Sequence, residues 1–379
     1  MFVAGDPSGD QHASHVLRRL ATLVRGGNFF GIGGPAMQSQ GLVPLMPFEA
    51  FNTMGFWEVL SHVPFFLKAK KRLVAAMDEY RPAALVCVDY PGLNIPLMRE
   101  AHKRGIPVVW YIVPQVWAWK KKRAALLGRY ASYIGCVFPF EAGYFKPFAA
   151  PVSFVGHPLV EAMEGRAASL PENALPPDNA PIGAHAFRLS LVPGSRRQEV
   201  AAILPSMVKA ALLLRKDHPG LAVTVSRCKN LPHALYQKVC TGTGIALFEG
   251  PLCELLAETE GALVTSGTAT LETALAKVPM VIAYRTSQIT YRLMKRMIRV
   301  RCIGLPNIVA GEKIVPECIQ SEATGQKLAQ EMSAFITSKD LYRRTKEKLS
   351  RLESLLGGKQ PSKEIAEAIA GFVRKQSMQ

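Results

Sequence analysis

Short apolar runs alternate with amphipathic stretches along almost the whole chain. In the first half, four runs rich in β-branched and aromatic residues end in Gly, Pro or Asp, at residues 1–4, 85–88, 108–113 and 134–138. Between them, apolar residues recur at helical spacing over 11–23, 60–80 and 95–104. This pattern predicts strands followed by helices, which is typical of a parallel sheet with helices on both faces.

The same alternation resumes after a segment of prolines and small polar residues, 159–184, which predicts a linker. Strands are predicted at 189–192, 221–225, 261–264 and 280–283, and helices at 198–214 and 268–275. We therefore predict an α/β protein with two Rossmann-like, doubly wound domains, 1–158 and 185–337, facing each other across a cleft. A charged helical tail, 338–379, has Gly357 and Gly358 between two helices and is predicted to pack back on an N-terminal domain.

The composition fits two globular domains with an anionic partner. At 379 residues, of which 49% are hydrophobic and 20% charged, the chain is too long for one ordinary core. The net charge of +17 favours nucleic acid, an acidic membrane surface or a phosphorylated substrate, and does not choose among them. The seven cysteines form no C-x-x-C pair, which indicates reduced thiols in the cytosol rather than disulfides or structural zinc.

The sequence predicts neither a signal peptide nor a membrane-spanning helix. No charged leader with an apolar core is present, and no apolar run reaches the roughly 18–20 residues of a spanning helix. Only four residues precede Gly5, so the first strand is predicted to be short and the first sheet under-built.

Two strand–helix turns of the second half are suited to anions. After the strand at 189–192 come Gly194, which lets the backbone approach a ligand, Ser195, a predicted helix cap, and Arg196, a candidate phosphate ligand. The second turn, 265–272 (TSGTATLE), supplies Ser266, Gly267, Thr268 and Glu272 as candidate binding residues. An ordinary capped turn and a glutamate that only complements the helix dipole are the alternatives. Two such turns in one domain favour a nucleotide diphosphate as the ligand.

Two turns of the first half are suited to a sugar. Residues 4–10 (AGDPSGD) match neither a Walker A loop nor a dinucleotide fingerprint. Their acids disfavour a diphosphate, so we expect sugar hydroxyls to bind at Ser8, Gly9, Asp10 and His12; a turn with a helix cap is the alternative. Asp89 directly follows the strand at 85–88, where a partly buried carboxylate can act as a general base for a sugar hydroxyl. The alternative for Asp89 is a cap of the next helix.

Aromatic, apolar and basic residues follow each other over 52–72, which predicts an interfacial helix on an anionic membrane or a groove for acyl chains. The residues expected in this contact are Phe56, Trp57, Leu60, Val63, Phe66, Lys68, Lys70, Lys71 and Arg72. A core-facing helix with a solvated basic end is the alternative, and further basic–aromatic clusters at 117–123 and 291–301 favour the membrane. The histidines show no metal-binding pattern, so neither a metal nor another cofactor is predicted.

Taken in order, these motifs resemble the lipid-A-disaccharide synthase family along nearly the whole chain. They are residues 4–10, 31–37 (GIGGPAM), 52–55 (NTMG), 114–119 (PQVWAW), 138–141 (FPFE), 156–158 (GHP), 191–196 (LVPGSR), 266–272 (SGTATLE) and 305–307 (LPN). Two positions depart from the usual pattern of the family, which has Glu where Asp6 stands and Gly where Ala13 stands.

The resemblance implies an inverting, metal-independent glycosyltransferase of the GT-B type. It implies transfer of 2,3-diacylglucosamine from UDP-2,3-diacylglucosamine to 2,3-diacylglucosamine 1-phosphate, with UDP released, in lipid A and lipopolysaccharide biosynthesis. Asp89 would be the base on the 6-hydroxyl of the acceptor. UDP would bind the second domain, with Arg196 near phosphate, Glu272 near ribose and Asn307 nearby, while Ser8, Gly9 and Asp10 would line the cleft. The protein would be cytoplasmic and peripheral on the inner face of the inner membrane; a homodimer stays open, since the tail could pack on a partner subunit.

Other function classes stay open at this point. One is another UDP-aminosugar enzyme of the same fold, either a peptidoglycan-precursor glycosyltransferase or an epimerase. The others are a basic nucleic-acid-binding protein and a non-catalytic lipid-binding protein. No helix-turn-helix, RNA-binding signature or zinc module is recognisable, so we expect no nucleic-acid partner.

Overall fold

The computed structural model describes residues 1–52, 63–117, 122–148, 151–167, 186–286, 291 and 302–377. The chain divides into two compact units. The first unit contains Met1–Met163 and the C-terminal segment from Leu356 onward, and the second contains Glu164–Leu355. Each unit is built on a parallel sheet with helices, as the alternating pattern predicts.

The first unit has a seven-stranded sheet in the order β3-β2-β1-β4-β5-β6-β7. Its strands are β1 (Phe2–Ala4), β2 (Phe29–Ile32), β3 (Leu42–Pro44), β4 (Leu85–Val88), β5 (Val108–Tyr111), β6 (Tyr133–Cys136) and β7 (Val152–Phe154). All neighbouring pairs are parallel. The residues of β1, β4 and β5 are all buried, which is expected of strands covered on both faces.

Strand β1 is short but fully paired. Its three residues pair with β2 on one side and with β4 on the other, and all three are buried. The predicted under-built first sheet is therefore wrong, because β1 is the third of seven strands and is paired on both sides. Strands β2, β3 and β7 were not predicted: all three have only three or four residues, and β3 and β7 are edge strands with partly exposed side chains.

Helices connect the strands of the first unit. They are α1 (Pro7–Leu23), α2 (Pro35–Gln38), α3 (Glu49–Asn52), α4 (Val63–Tyr80), α5 (Pro91–Lys103), α6 (Lys122–Tyr130) and α7 (Pro158–Ala167), with a 3-10 helix at Pro139–Tyr144. Helix α7 covers the start of the predicted linker. That part of the linker prediction is wrong because the prolines that suggested it begin only at Pro171. The rest of the predicted linker, 168–184, lies outside the described residues.

The second unit has a six-stranded parallel sheet in the order β10-β9-β8-β11-β12-β13. Its strands are β8 (Arg188–Val192), β9 (Ala222–Ser226), β10 (Ala246–Phe248), β11 (Gly261–Thr265), β12 (Met280–Tyr284) and β13 (Glu317–Ile319). Its helices are α8 (Arg197–Asp217), α9 (His233–Cys240), α10 (Leu252–Ala257), α11 (Thr268–Leu275), α12 (Leu305–Ala310), α13 (Gly325–Thr337) and α14 (Lys339–Leu356), with a 3-10 turn at Gln320–Glu322. The core includes apolar residues of α8 and α13, among them Leu204, Met207 and Met332.

The charged tail is divided between the two units. In α14, Leu349 and Leu352 are buried in a core cluster of the second unit. Helix α15 (Pro361–Ser377) instead belongs to the first unit, where the backbone N–H of Ser362 donates to Oε2 of Glu161 at 3.1 Å. Gly357 and Gly358 do separate two helices, but only the second of these packs on the N-terminal unit.

Candidate functional site

The candidate turns lie at the two points where the strand order reverses. In the first sheet β1 and β4 are neighbours, and in the second sheet β8 and β11 are neighbours. Open α/β sheets bind ligands beyond the carboxyl ends of the strands at such reversal points. The turns at 4–10 and Asp89 follow β1 and β4, whereas the turns at Gly194 and Gly267 follow β8 and β11. Each unit therefore has two of the predicted turns side by side.

Asp89 and Tyr90 have left-handed backbone conformations. Their φ angles are 42° and 46°, which is rare outside glycine and is stored strain of roughly 1–3 kcal/mol per residue. The N–H of Asp89 donates to the carbonyl of Tyr111 at 3.0 Å, and Nδ2 of Asn94 donates to the carbonyl of Asp89 at 2.8 Å. The N-cap of α5 is Tyr90, without a side-chain capping bond, so the alternative of Asp89 as a helix cap is wrong.

The surroundings of Asp89 favour its neutral form. Burial, followed by the nearby charge of Asp6, raises the pKa of Asp89 to about 7. The backbone N–H of Tyr90 and the charge of Arg123 oppose this shift. A carboxyl that titrates near neutral pH matches the acid–base strength that a general base needs.

The turn after β1 is organised by two aspartates that bond to backbone. Oδ1 of Asp6 accepts the N–H of Gly9 at 2.6 Å and caps α1. The buried carboxylate of Asp10 accepts three N–H groups, from Gly34 at 2.7 Å and from Ala36 and Met37 at 3.0 Å each. Asp10 thereby holds the start of α2 in place. These bonds to the backbone differ from the contact with sugar hydroxyls that we expected for Asp10.

Ser8 and His12 lie together on the first turns of α1. Oγ of Ser8 and Nε2 of His12 are 3.1 Å apart. Burial, with a smaller contribution from His15, lowers the pKa of His12 to about 4, so this ring is neutral at pH 7. The pKa of His157 is lowered to about 3, mainly by burial and to a smaller extent by the nearby His12. This turn therefore offers neutral hydrogen-bonding groups, which suit sugar hydroxyls better than phosphate.

A buried glutamate was missed as a site residue by the sequence reasoning. Glu141 is 1% exposed, and its carboxylate accepts the indole N–H of Trp117 and the backbone N–H groups of Val137 and Phe138. Burial, the largest cause, raises its pKa to about 8, and the charge of Asp89 contributes. The only sequence signal was its place in the motif at 138–141.

The turn after β8 needs its glycine. Gly194 has a φ of 102°, and a Cβ there would lie 2.8 Å from Oε2 of Glu199. Arg196, not Ser195, is the N-cap of α8, so the predicted capping by Ser195 is wrong: the left-handed glycine turn starts the helix one residue later. The side chain of Arg196 is 80% exposed and its Nη1 pairs with Oε1 of Glu199 at 2.8 Å. Exposed pairs of this kind are weak, so Arg196 can exchange its partner for an anion.

The turn after β11 leads directly into α11. Gly267 is the N-cap and the exposed Thr268 is the first helical residue. Oγ of Ser266 donates to the carbonyl of Ile303 at 3.1 Å. Glu272 lies one turn beyond Thr268, as its spacing predicts. The N–H groups in the first turn of a helix lack intrahelical acceptors and attract anions.

Thr265 connects this turn to the glycine turn after β8. Its Oγ1 is buried without a hydrogen-bond partner among the residues that the structure describes. A Cβ on Gly194 would lie 3.6 Å from Cγ2 of Thr265, so the two turns are close neighbours.

Asn307 is fully engaged with protein atoms. Its Nδ2 donates to the carbonyl of Val315 at 2.9 Å and to Oε1 of Glu317 at 2.8 Å, and its Oδ1 accepts the N–H groups of Ile314 and Val315. An amide has two donors and two acceptor sites, so all four are used. Direct contact of Asn307 with a ligand would require one of these bonds to break.

Part of the expected membrane contact is described. Phe56, Trp57 and Leu60 lie outside the described residues, as does the side chain of Val63.

Lys68, Lys71 and Arg72 are exposed on α4, and Leu67 beside them is 62% exposed. Phe66 instead packs toward Tyr90, with ring centroids 6.3 Å apart. Lys70 pairs with Glu100 at 3.1 Å and borders a cavity of about 550 Å³ on α4, α5 and α6.

Membrane-spanning helices and clusters of metal ligands are both absent from the described residues. None of the helices among them is long and apolar enough to cross a membrane. Likewise, in the described part of the chain no three His, Cys, Asp or Glu side chains are grouped as metal ligands.

The sequence matches a family model over nearly its full length. The model described as Lipid-A-disaccharide synthetase covers residues 1–372. The chain is 35% identical to the lipid-A-disaccharide synthase of Geobacter metallireducens over 378 residues, which is 98% of this chain and 96% of that one. It is 36% identical to the enzyme of the same name from Chromobacterium violaceum over 343 residues, 89% of this chain and 87% of that one.

Solved structures share the fold at low sequence identity. A UDP-GlcNAc 2-epimerase from Neisseria meningitidis bound to UDP-GlcNAc has a TM-score of 0.61 and 12% identity, covering 99% of this chain and 98% of that one. The calicheamicin glycosyltransferase CalG4 has a TM-score of 0.60 and 14% identity, covering 98% of each chain. These likenesses confirm the predicted fold class, two Rossmann-like sheets of the GT-B type.

Proposed function

This chain belongs to the lipid-A-disaccharide synthetase family, and we propose that it joins two acylated glucosamines with Asp89 as the base and UDP as the leaving group. The donor is UDP-2,3-diacylglucosamine and the acceptor is 2,3-diacylglucosamine 1-phosphate. The product is the β-1′,6-linked disaccharide 1-phosphate of lipid A biosynthesis. The observation that carries the proposal is the carboxyl of Asp89, which follows β4 at the reversal point of the first sheet and titrates near neutral pH.

Asp89 accepts a proton during the transfer. As the 6-oxygen of the acceptor attacks the anomeric carbon of the donor, its proton moves to the carboxylate of Asp89. The bond from the anomeric carbon to the diphosphate oxygen breaks, and the configuration inverts. Because the base must be ionised, the rate rises with pH through about 7, the pKa to which burial raises this group.

The second unit binds the UDP part of the donor. The first turns of α8 and α11 offer N–H groups to the diphosphate, and the exposed Arg196 adds a positive charge. These groups stabilise the negative charge that develops on departing UDP. Glu272 accepts hydrogen bonds from the ribose hydroxyls. Thr265 is buried beside the turn at Gly194, and its hydroxyl has no partner among the described residues.

The first unit holds the acceptor sugar beside Asp89. Ser8 and the neutral ring of His12 contact sugar hydroxyls, and the buried Gly9 holds the turn by donating its N–H to Asp6. The acyl chains explain why exposed lysines and Leu67 share one face of α4. We assign this face to the anionic inner surface of the inner membrane, where both substrates reside.

A micelle assay with two donors tests this function. The purified protein is offered 2,3-diacylglucosamine 1-phosphate with either UDP-2,3-diacylglucosamine or unacylated UDP-glucosamine, and disaccharide and UDP are both quantified. We expect product from the acylated donor alone. Equal turnover of the unacylated donor would contradict the lipid substrate and point to a different aminosugar transferase.

A further inference from the structure

Three N–H groups from two chain segments converge on the buried carboxylate of Glu141. Its Oε1 accepts the indole Nε1–H of Trp117 at 3.1 Å. Its Oε2 accepts the backbone N–H groups of Val137 at 3.2 Å and Phe138 at 3.1 Å. Trp117 follows β5, whereas Val137 and Phe138 follow β6. One carboxylate therefore joins the segments at the ends of two neighbouring strands.

The segment after β5 is directly connected to Asp89. The N–H of Asp89 donates to the carbonyl of Tyr111, the last residue of β5. The next residue, Ile112, has a φ of 61°, which is strained for a β-branched side chain. Such a conformation persists only where the surroundings hold it firmly. The hydrogen bond from Trp117 to Glu141 is one of the contacts that hold this segment beside the base.

Aromatic packing adds contact area to the same region. The ring of Trp117 meets Phe140 edge to face at 5.5 Å, and Phe140 stacks on Phe138 at 5.5 Å. Stacked and edge-on rings tolerate sliding, whereas the hydrogen bonds to Glu141 fix the orientation of the indole. The hydrogen bond to Glu141 therefore sets the orientation of the Trp117 indole, and the ring contacts only add packing.

Charge also links the two acids. Each of them has a pKa raised chiefly by burial, and the charge of Asp89 further raises the pKa of Glu141. The other groups that face Asp89 are Asp6 before α1, Arg123 on α6 and the hydroxyl-bearing Tyr90. Because the pKa of Asp89 is about 7 and that of Glu141 is about 8, Asp89 ionises first, and its charge then disfavours ionisation of Glu141.

Resting on the proposed function, we propose that Glu141 is a positioning residue for Asp89, which ties the segments after β5 and β6 together beside the base. The role needs a carboxyl group rather than an amide. In Gln the amide group has one carbonyl oxygen and an NH2 that only donates, so it cannot accept from the indole and from both backbone N–H groups. Glu141 itself touches no reacting atom in this account.

The test compares Glu141→Gln and Trp117→Phe with a matched control, Glu161→Gln. Glu161 is also a partly buried acid of the first unit that accepts a backbone N–H, from Ser362, and it lies on α7 rather than beside Asp89. For each full-length variant, kcat and KM for both substrates are measured over the pH range of activity, together with UDP affinity. Circular dichroism establishes that each variant is folded.

We expect Glu141→Gln and Trp117→Phe to lower kcat on the order of 10-fold to 100-fold, with KM and UDP affinity within about twofold of the native protein. In Glu141→Gln the rising limb of the pH–kcat profile stays near pH 7, because Glu141 is still neutral while Asp89 ionises. Glu161→Gln retains the native kcat and profile.

A folded Glu141→Gln variant with native kcat overturns the proposal. If Glu141→Gln does not fold, Trp117→Phe decides, and native kcat in that variant overturns the positioning role. Neither result touches the proposed function, which fails only if Asp89→Asn keeps its turnover or the acylated donor is not used.

Discussion

At the scale of single residues, Asp89 combines a strained backbone with a buried carboxyl. Asp and Asn tolerate the left-handed region better than other residues with a side chain, so Asn can replace Asp89 without changing the backbone. Tyr90 has no such tolerance. Its ring lies against Gly5, where a Cβ would approach within 2.6 Å, and its hydroxyl donates to the carbonyl of Phe51 at 3.2 Å. The left-handed conformation of Tyr90 is therefore maintained by its contacts with Gly5 and Phe51 and not by its own backbone preference.

Asp89→Asn is expected to stabilise the first unit at high pH. The folded pKa of Asp89 is raised to about 7 from its ordinary 3.8, so between these values the folded chain binds more protons than the unfolded chain. Ionisation of Asp89 therefore reduces the free energy of unfolding as the pH rises through this window. The variant avoids this loss and gains about 1 kcal/mol or more at about pH 8, and little at about pH 4.

Tryptophan fluorescence in urea measures this difference in one unit. All four tryptophans, at 57, 110, 117 and 119, fall in the segment of the first unit, so their signal follows its unfolding alone. A gain of equal size at both pH values would show that the carboxyl does not titrate as described.

Single residues were predicted best where their role depends on local sequence. The position of Asp89 was predicted because it follows an apolar strand, and that of Gly194 because it opens a strand–helix turn. The roles of Asp10 and Asn307 were not predicted, because their partners depend on the tertiary fold. Those of Asp10 lie 24 to 27 residues further along the chain.

At the scale of elements, the turn between β8 and α8 depends on Gly194. Gly194→Ala forces a left-handed residue to carry a Cβ against Glu199, so we expect the second unit to lose about 1 kcal/mol or more of its free energy of unfolding. UDP affinity, measured by calorimetry, is expected to fall as the α8 N-terminus shifts. Gly220→Ala is the control in the same unit, because a Cβ there meets no atom within 4 Å. UDP affinity reduced equally in both variants would contradict this account of the turn.

Elements were predicted in proportion to their length and burial. The central strands β4, β5, β8 and β11 are mostly apolar. Each was predicted within two residues of its observed bounds. Short strands near the sheet edges, such as β3, β7 and β10, have three residues each and were missed. Helix α7 was taken for a linker because the prolines beyond it dominated the local composition.

At the scale of the whole molecule, the net charge of +17 is expected to act at the membrane. Vesicle sedimentation with anionic lipid should show binding that weakens with salt. Lys68→Ala/Lys71→Ala removes two exposed charges of α4 and is expected to weaken binding about tenfold or more. Lys216→Ala/Lys229→Ala removes two exposed charges of the second unit and serves as the control. Equal weakening by both pairs would mean that only the total charge matters.

The whole fold was predicted from alternation, and the reaction from nine ordered motifs. Periodicity gives two parallel sheets, but it cannot identify a sugar donor, since epimerases and glycosyltransferases share this fold. The division of the tail at Leu356 was not predicted either. Both α14 and α15 are amphipathic and charged, and only tertiary packing decides which unit each one joins.

The central claim is that Asp89 is the base of a transfer from UDP. It is tested most directly by measuring turnover and UDP affinity in Asp89→Asn, with UDP-2,3-diacylglucosamine and 2,3-diacylglucosamine 1-phosphate in micelles. We expect turnover to fall about 10²-fold to 10⁴-fold, the usual contribution of a general base, while UDP affinity stays within about twofold. Native turnover in this variant would contradict the account.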